Sequence, residues 1–398
     1  MRIGYLVPQF PGQTHIFFWR EVLALRERGV DVHLLSTRPP PPGLIAHDWS
    51  DEAMSETTYL GRMDPLAALG GLTRTLPRGL ALWMMQEGPV FARDAGLMLS
   101  AAQQLLGYAR EHALDHIHAH SCARAGLIAA LARRMGGPAY SMTLHGPLSD
   151  YGAGQRFKWR GAAFATVITK KLLAEVEEEL AGHLPPRIVV RAMGVDTEVL
   201  RRDTPYRPPE KGRPVRIFSC GRLNVVKGHQ DLMAAMRRLL DQGVDVRLEI
   251  AGEDDDGGSG FRAELERTLK DLRLQDHVKL LGAIDAGAVR AKLLEAHVFA
   301  LASWHEPLGV AYMEAMACGV PVIGTEAGGV PELIEDGRTG KLVPPKDPGA
   351  LARAIRDLAG DPDKAQRLAE AGRAHVEAHF RASLGAETLI EEISRLTR

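Results

Sequence analysis

Two glutamates eight positions apart, Glu306 and Glu314, bracket a run of small residues in "HEPLGVAYMEAMACGVPVIGTEAGGVPE" (305–332). A carboxylate accepts from two hydroxyls at once, so the vicinal diols of a hexose or a ribose are natural partners for such a pair. The helix expected to begin near Gly309 turns its first amides, which have no partners inside the helix, toward the preceding loop, where an anion or a sugar hydroxyl can be held. Glu306 then lies in the loop and Glu314 in the helix, a turn or more further at ~1.5 Å per residue, so the two serve different parts of one elongated ligand. Gly328 and Gly329 bring bare backbone N–H groups close, which suits a diphosphate. In "FSCGRLNVVKGHQDL", Arg222 and Lys227 occupy a loop between an apolar run and a helix. A guanidinium fork and an ammonium in one turn can clamp adjacent phosphates. The same residues also fit a plainer assignment: a solvated helix glutamate, a capping acid, surface cations, and glycines that serve tight turns.

These groups need a scaffold. Short apolar runs alternate with helical periodicity almost throughout, which predicts an α/β chain with parallel sheets covered by helices. The strands expected in the first half are "IGYLVP" (3–8), "VDVHLLS" (30–36), "HIHAH" (116–120), "AYSMTLHG" (139–146), "FATVITK" (164–170) and "RIVVRAMG" (187–194). In the second half they are "VRIFSCGRL" (215–223), "VRLEIAGE" (246–253), "VKLLG" (278–282), "VFALAS" (298–303) and "VPVIGT" (320–325). Residues 201–214 gather charges and four prolines without apolar periodicity, the composition of an inter-domain linker. The expected organisation is a doubly wound domain over 1–200, a second over 215–375, and a C-terminal helix at 376–398 packing back toward the first. Ligands in such sheets bind outside the carboxyl ends of the strands, and each constellation above follows a strand.

A chain of 398 residues suits two domains, and 45% hydrophobic with 25% charged residues excludes wholesale disorder. A net charge of −1 gives no attraction to nucleic acid. Cys122, Cys220 and Cys318 form no CxxC pair, so neither a disulfide framework nor a zinc cluster is expected and a reducing cytoplasm fits. The amino terminus reads as a strand and loop, not a signal peptide, and no run approaches the ~18 apolar residues of a span. Residues 62–110 are helical and apolar, dotted with Arg62, Arg74, Arg78 and Arg93. Buried helix packing is the main expectation there; a surface resting on the inner face of a membrane is the other.

As an ordered set, "GRLNVVKG", "LEIAGE", "VKLLG", the E-x7-E stretch and "DGRTGKLVPP", with "HAH" and "TLHG" upstream, resemble glycosyltransferase family 4, retaining sugar-nucleotide transferases of the GT-B fold. The amino-terminal "PQFPGQTHIFFWREV" is similar to the "FPxxSETFIxREI" start of colanic-acid and exopolysaccharide transferases, with Gly-Gln-Thr-His in place of Ser-Glu-Thr-Phe. The resemblance implies two Rossmann-like domains facing across a cleft and a nucleotide-diphosphate sugar as co-substrate, with UDP ahead of GDP. It implies that Arg222 and Lys227 hold the diphosphate, that Glu314 accepts from the ribose and that Glu306 contacts the transferred hexose. The amides of Leu308, Gly309 and Val310 would line sugar and phosphate. His145 and the loop from Gly12 to Thr14 would serve the site from the first domain.

Cations and amides aimed at the leaving oxygen lower the barrier without a general acid, so front-face attack by a hydroxyl of a saccharide or lipid-linked saccharide, with retention, is expected in a cleft closed by domain motion. "GEDDDGG" (252–258) carries Asp254, Asp255 and Asp256, reminiscent of the metal motif of the other glycosyltransferase fold. An exposed acidic loop is expected instead, and no metal or other cofactor. Two other functions share this architecture: a sugar-nucleotide epimerase and a sugar-nucleotide-binding protein without turnover. The intact Glu306, Glu314, Arg222 and Lys227 set favours transfer.

Overall fold

The structure, a computed structural model, describes residues 1–12, 15–40, 49–61, 64–254 and 260–396. Thr14, Arg62, Asp255 and Asp256, named above, lie outside the described residues. Met1–Met193 with Ser383–Arg398 form one compact unit and Gly194–Ala382 the other.

The first unit is built on a seven-stranded sheet: β1 (Arg2–Val7), β2 (Asp31–Ser36), β3 (Thr58–Tyr59), β4 (His116–Ala119), β5 (Ala139–Leu144), β6 (Phe164–Val167) and β7 (Ile188–Val190), in spatial order β3-β2-β1-β4-β5-β6-β7. The second carries β8 (Val215–Cys220), β9 (Val246–Ala251), β10 (Val278–Gly282), β11 (Val298–Ala300), β12 (Val322–Thr325) and β13 (Lys341–Val343), in order β10-β9-β8-β11-β12-β13. Every pairing in both sheets is parallel. Strands covered on both faces need apolar side chains on both, which is why these runs are nearly continuous in Val, Ile, Leu and Phe. β3 and β13, two and three residues long, went unanticipated, lying outside the longer apolar stretches that marked the similarly short β7 and β11.

Each order reverses direction once, between β1 and β4 and between β8 and β11, so each sheet has a topological switch point where two loops leave neighbouring strand ends in opposite directions and open a crevice. Helix starts are fixed locally. Asp64 accepts from Leu66 N and Ala67 N, Asp285 from Ala288 N and Asp347 from Ala350 N, while Pro65, Pro348 and Pro362 open their helices where no N–H is needed. Leu232, Met233, Met236 and Leu239 of the helix His229–Asp241 pack on β8 and β9 with Ile217, Leu248 and Ile250.

The proline-rich stretch 201–214 behaves differently from a free linker. Arg202 donates through Nε to Cys318 O at 3.0 Å and through Nη1 to Leu294 O at 3.0 Å, and the buried Tyr206 donates to His297 O at 2.8 Å. Both ties lie within the second unit, which begins at Gly194. Leu389 and Ile393 of the last helix (Ala382–Arg395) join Phe18 and Trp19 in the core of the first unit, and Arg28–Glu387 and Arg187–Glu392 pair beside them. Leu396, three residues past Ile393, is exposed.

Tyr206→Phe removes one buried hydrogen bond and leaves the His297 carbonyl unpaired; a loss of ~1 kcal/mol is expected, read as a lower midpoint in urea unfolding of the second unit's fluorescence signal.

Candidate active site

At the switch point of the second sheet the loops after β8 and β11 are joined by a buried contact. Lys227 Nζ lies 2.5 Å from Glu306 Oε2, and Ser303 Oγ donates to the same oxygen at 3.1 Å. Lys227 ends the short turn Val225–Lys227. Gly228 follows with φ +68°, and a Cβ there would stand 1.9 Å from the Ala302 carbonyl oxygen, so only glycine lets the two loops touch. Trp304 N donates to Val226 O at 2.7 Å, its indole N–H to Asp231 Oδ2 at 2.5 Å, and the Lys346 ammonium stands 4.3 Å from the indole centroid. The ion pair is thus held by backbone and side chains from both loops.

Glu306 is also gripped by its backbone. Gly329 N donates to Glu306 O at 3.0 Å, and Gly328, at φ +62°, would place a Cβ 1.9 Å from that oxygen. The Gly-Gly turn therefore clamps the loop that carries Glu306. This corrects the expectation that both of its amides face a ligand, because the Gly329 amide is already spent on that carbonyl.

Beyond Glu306, Leu308 and Gly309 are buried and Val310 half-buried. Gly309 is the N-cap of the helix Val310–Ala317, at φ +102° and with no side-chain cap. Its carbonyl accepts from Tyr312 N and Met313 N, so the helix's first amides lie outside its internal ladder. Glu314 is half-buried inside this helix. Its carboxylate is felt at the end of β8: the Cys220 thiol is pushed up to about 12, first by burial and next by Glu314, with the Lys227 ammonium acting in the opposite direction. Glu314 and Lys227 thus bear on one spot. Arg222 projects from the same loop and is exposed; beneath it His229, fully buried, is pushed down to about 4 by burial and is a neutral ring.

Gly12 and His145 belong to the first unit. Gly12 O accepts from His15 N at 2.9 Å. His145 follows β5, with its Nε2 3.3 Å from His120 Nδ1. Burial first, then the nearby His120 and His15, hold it well below the ordinary histidine range, so the ring is neutral. The acidic run divides: Asp254 Oδ1 accepts from Arg262 N at 3.1 Å, and its two neighbours lie outside the described residues. Among the described residues there is no group of three or more His, Cys, Asp or Glu arranged to hold a metal ion.

Sequence reasoning missed Ser303, Trp304 and His229. Each flanks a residue or motif it singled out, but their partners come from other loops, which spacing along the chain does not show. Chemically, the site offers a fixed ammonium, a fixed carboxylate and uncapped helix amides at adjoining strand ends. Such a set stabilises negative charge and receives sugar hydroxyls.

Residues 202–375 match the family model for glycosyl transferases group 1, and residues 16–189 the glycosyl transferase 4-like domain. The chain belongs to the group 1, family 4 glycosyltransferases. This glycosyltransferase is 29% identical over 373 residues to a glycogen synthase of Mycobacterium tuberculosis, covering 90% of this chain and 84% of that one. It is 28% identical over 407 residues to the putative colanic acid biosynthesis glycosyltransferase WcaL of Escherichia coli K12, covering 96% of each. Among solved structures, Anabaena Alr3699/HepE in complex with UDP and glucose superposes with a TM-score of 0.76 at 18% identity, over 99% of this chain and 100% of that one. The fold is therefore GT-B, with two parallel-sheet Rossmann-like domains.

Two substitutions test the architecture of this glycosyltransferase's site. Lys227→Met leaves the Glu306 carboxylate buried without its ammonium, and a stability loss of ~3 kcal/mol is expected in chemical denaturation. Gly328→Ala forces a Cβ onto the Glu306 carbonyl and is expected to lower the thermal midpoint by several degrees, whereas Gly243→Ala, also at positive φ but with nothing within 4 Å of its Cβ, should cost less.

Proposed function

We propose that this chain is a retaining hexosyltransferase that moves a hexose from a nucleotide-diphosphate sugar to a hydroxyl of a saccharide or lipid-linked saccharide, in the building of an exopolysaccharide. The observation that carries the proposal is the Lys227–Glu306 pair at the β8/β11 switch point, with the Glu314 helix opening beside it. In this reading Arg222 and Lys227 neutralise the diphosphate as the anomeric bond breaks, and the amides of Leu308, Gly309 and Val310 share that charge. Glu314 accepts from the ribose diol and Glu306 from the hexose. His145 and the Gly12 loop serve the transferred sugar and the acceptor. The cations supply the charge stabilisation, so donor binding is proposed to need no metal. A nucleotide diphosphate leaves readily once stabilised, which removes the need for a protonating acid. UDP is the proposed nucleotide, ahead of GDP. Similarity to WcaL supports the polysaccharide class of product.

A peripheral contact with the inner membrane face is part of the proposal. Leu66, Leu69 and Leu76 recur at helical spacing on the outward side of the helix Pro65–Thr75 and its following turn, and Leu82, Met85, Val90 and Leu97 are exposed just after. The inward side of the same segment packs as expected, with Leu80, Phe91, Ala95 and Leu99 buried. Arg74 and Arg78 donate to neutral oxygens, of Gln103 and of the Arg74 backbone. Among the described residues no helix is long and apolar enough to cross a membrane.

Calorimetric titration of UDP, GDP and ADP without metal, repeated with EDTA and then Mg²⁺, tests the donor site. One nucleotide is expected to bind in EDTA, and Glu314→Ala and Arg222→Ala should each weaken it by about 10-fold or more, the worth of a hydrogen bond to a charged group. Binding that requires Mg²⁺ would overturn the metal-free reading. For the membrane, flotation with anionic liposomes at low salt should carry the wild type and release the Leu66→Asp/Met85→Asp variant.

A further inference from the structure

The first unit contains a buried chain of titratable groups that ends at His145. Glu21, on the helix Ile16–Glu27, is 3% exposed. Tyr5 OH donates to its Oε2 at 2.7 Å. His120 Nε2 lies 2.9 Å from the same oxygen, an ion-pair contact that makes no formal hydrogen bond, and His120 Nδ1 contacts His145 Nε2 at 3.3 Å. Tyr5 and Phe18 enclose the His120 ring, at centroid distances of 4.3 and 4.8 Å, and Phe17 and Phe18 flank His145. Burial and the neighbouring carboxylate raise the Tyr5 phenol, so it remains a donor. The other groups near the chain are His118, neutral by burial and bonded to Ser141 and Thr143, and His15, whose ring is 5.2 Å from Phe18. Arg191 lines a cavity of ≈ 10 Å³ that Glu21 also lines, and donates to Thr388 Oγ1.

The contacts impose an order on the protons. A carboxylate beside Nε2 favours a proton on that nitrogen, and with a single ring proton His120 then has its lone pair on Nδ1 and accepts there. The 3.3 Å contact then requires a proton on His145 Nε2. Neutral His145 is left with Nδ1 as its acceptor. We propose that Glu21 and His120 are positioning residues that fix the tautomer of His145, leaving Nδ1 to receive a sugar hydroxyl. This rests on the reading that His145 serves the transferred sugar. Gly385 of the last helix belongs to the same arrangement: a Cβ there would meet Glu21 Oε1 at 2.4 Å, so glycine gives the carboxylate room.

The test is a two-bond ¹H–¹⁵N spectrum of the histidine rings in the full-length protein near neutral pH, with His145 assigned by His145→Gln. The expected wild-type pattern is a protonated Nε2 and an unprotonated Nδ1 for His145. Glu21→Gln, which removes the charge, should shift both His145 nitrogens toward tautomer averaging, and Glu21→Asp should restore the wild-type pattern. In turnover, Glu21→Gln is expected to lower kcat by about 10–100-fold, the size associated with losing the partner that orients a functional histidine, with KM for the donor little changed. Should Glu21→Gln fail to fold, His120→Phe, which keeps a ring in the stack, takes its place and should also move the His145 signals. A wild-type His145 protonated on Nδ1, or ring signals unmoved in these variants, would overturn the proposal. Shifted signals with unchanged turnover in Glu21→Gln and His145→Gln would uphold the tautomer control while removing the sugar role of His145.

Discussion

Bringing an ammonium and a carboxylate together out of water costs each its hydration, and the attraction between them returns that cost only when geometry and further hydrogen bonds are good. Lys227 and Glu306 meet this condition at 2.5 Å with Ser303 on the same oxygen, and much of the second unit's loop structure provides for it. Gly228 lets the β8 loop reach the backbone after β11, Gly328 lets the β12 loop reach the backbone of Glu306, and Trp304 ties these segments to Asp231 and Val226. Such a pair adds little to stability by itself. Its value is positional, because it fixes a cation and an acceptor at the strand ends where a ligand of an α/β sheet is received.

The first sheet repeats the device with different chemistry. Its switch point lies between β1 and β4, the helix after β1 supplies Glu21, and the end of β4 leads into His120. In both units a carboxylate from one side of the switch meets a nitrogen base from the other. Parallel order explains the recurrence: only at the switch do two loops leave adjacent strands in opposite directions, and polar groups gathered there are buried by loop backbone while remaining at the sheet's carboxyl edge.

The segment 65–99 shows how a single periodic pattern is divided by tertiary structure. Its apolar residues exceed what one helix face can bury, so Phe91, Ala95 and Leu99 enter the core while Leu66, Leu69, Leu82 and Met85 face outward. Hydropathy along the chain registers the excess, and only the packing of the helices against one another decides which residues are left outside.

The sequence by itself determined the class of fold and most of its strands, because these depend on residue type and local period, and it singled out Arg222, Lys227, Glu306 and Glu314 as candidates. The ordered set of motifs carried the family as well. Tertiary structure alone decided who meets whom. Lys227 and Glu306 stand far apart in the chain and were read as contacts to different parts of a ligand, yet they pair because β8 and β11 are neighbours in a sheet whose order no local pattern encodes. The Gly329 amide is spent on Glu306, Arg202 and Tyr206 turn a linker composition into packed chain, and Glu21 reaches His120 from another element. Spacing along a sequence fixes only what lies within a few residues. Contacts across a switch point depend on strand order, which is settled when the whole sheet buries its apolar faces at once.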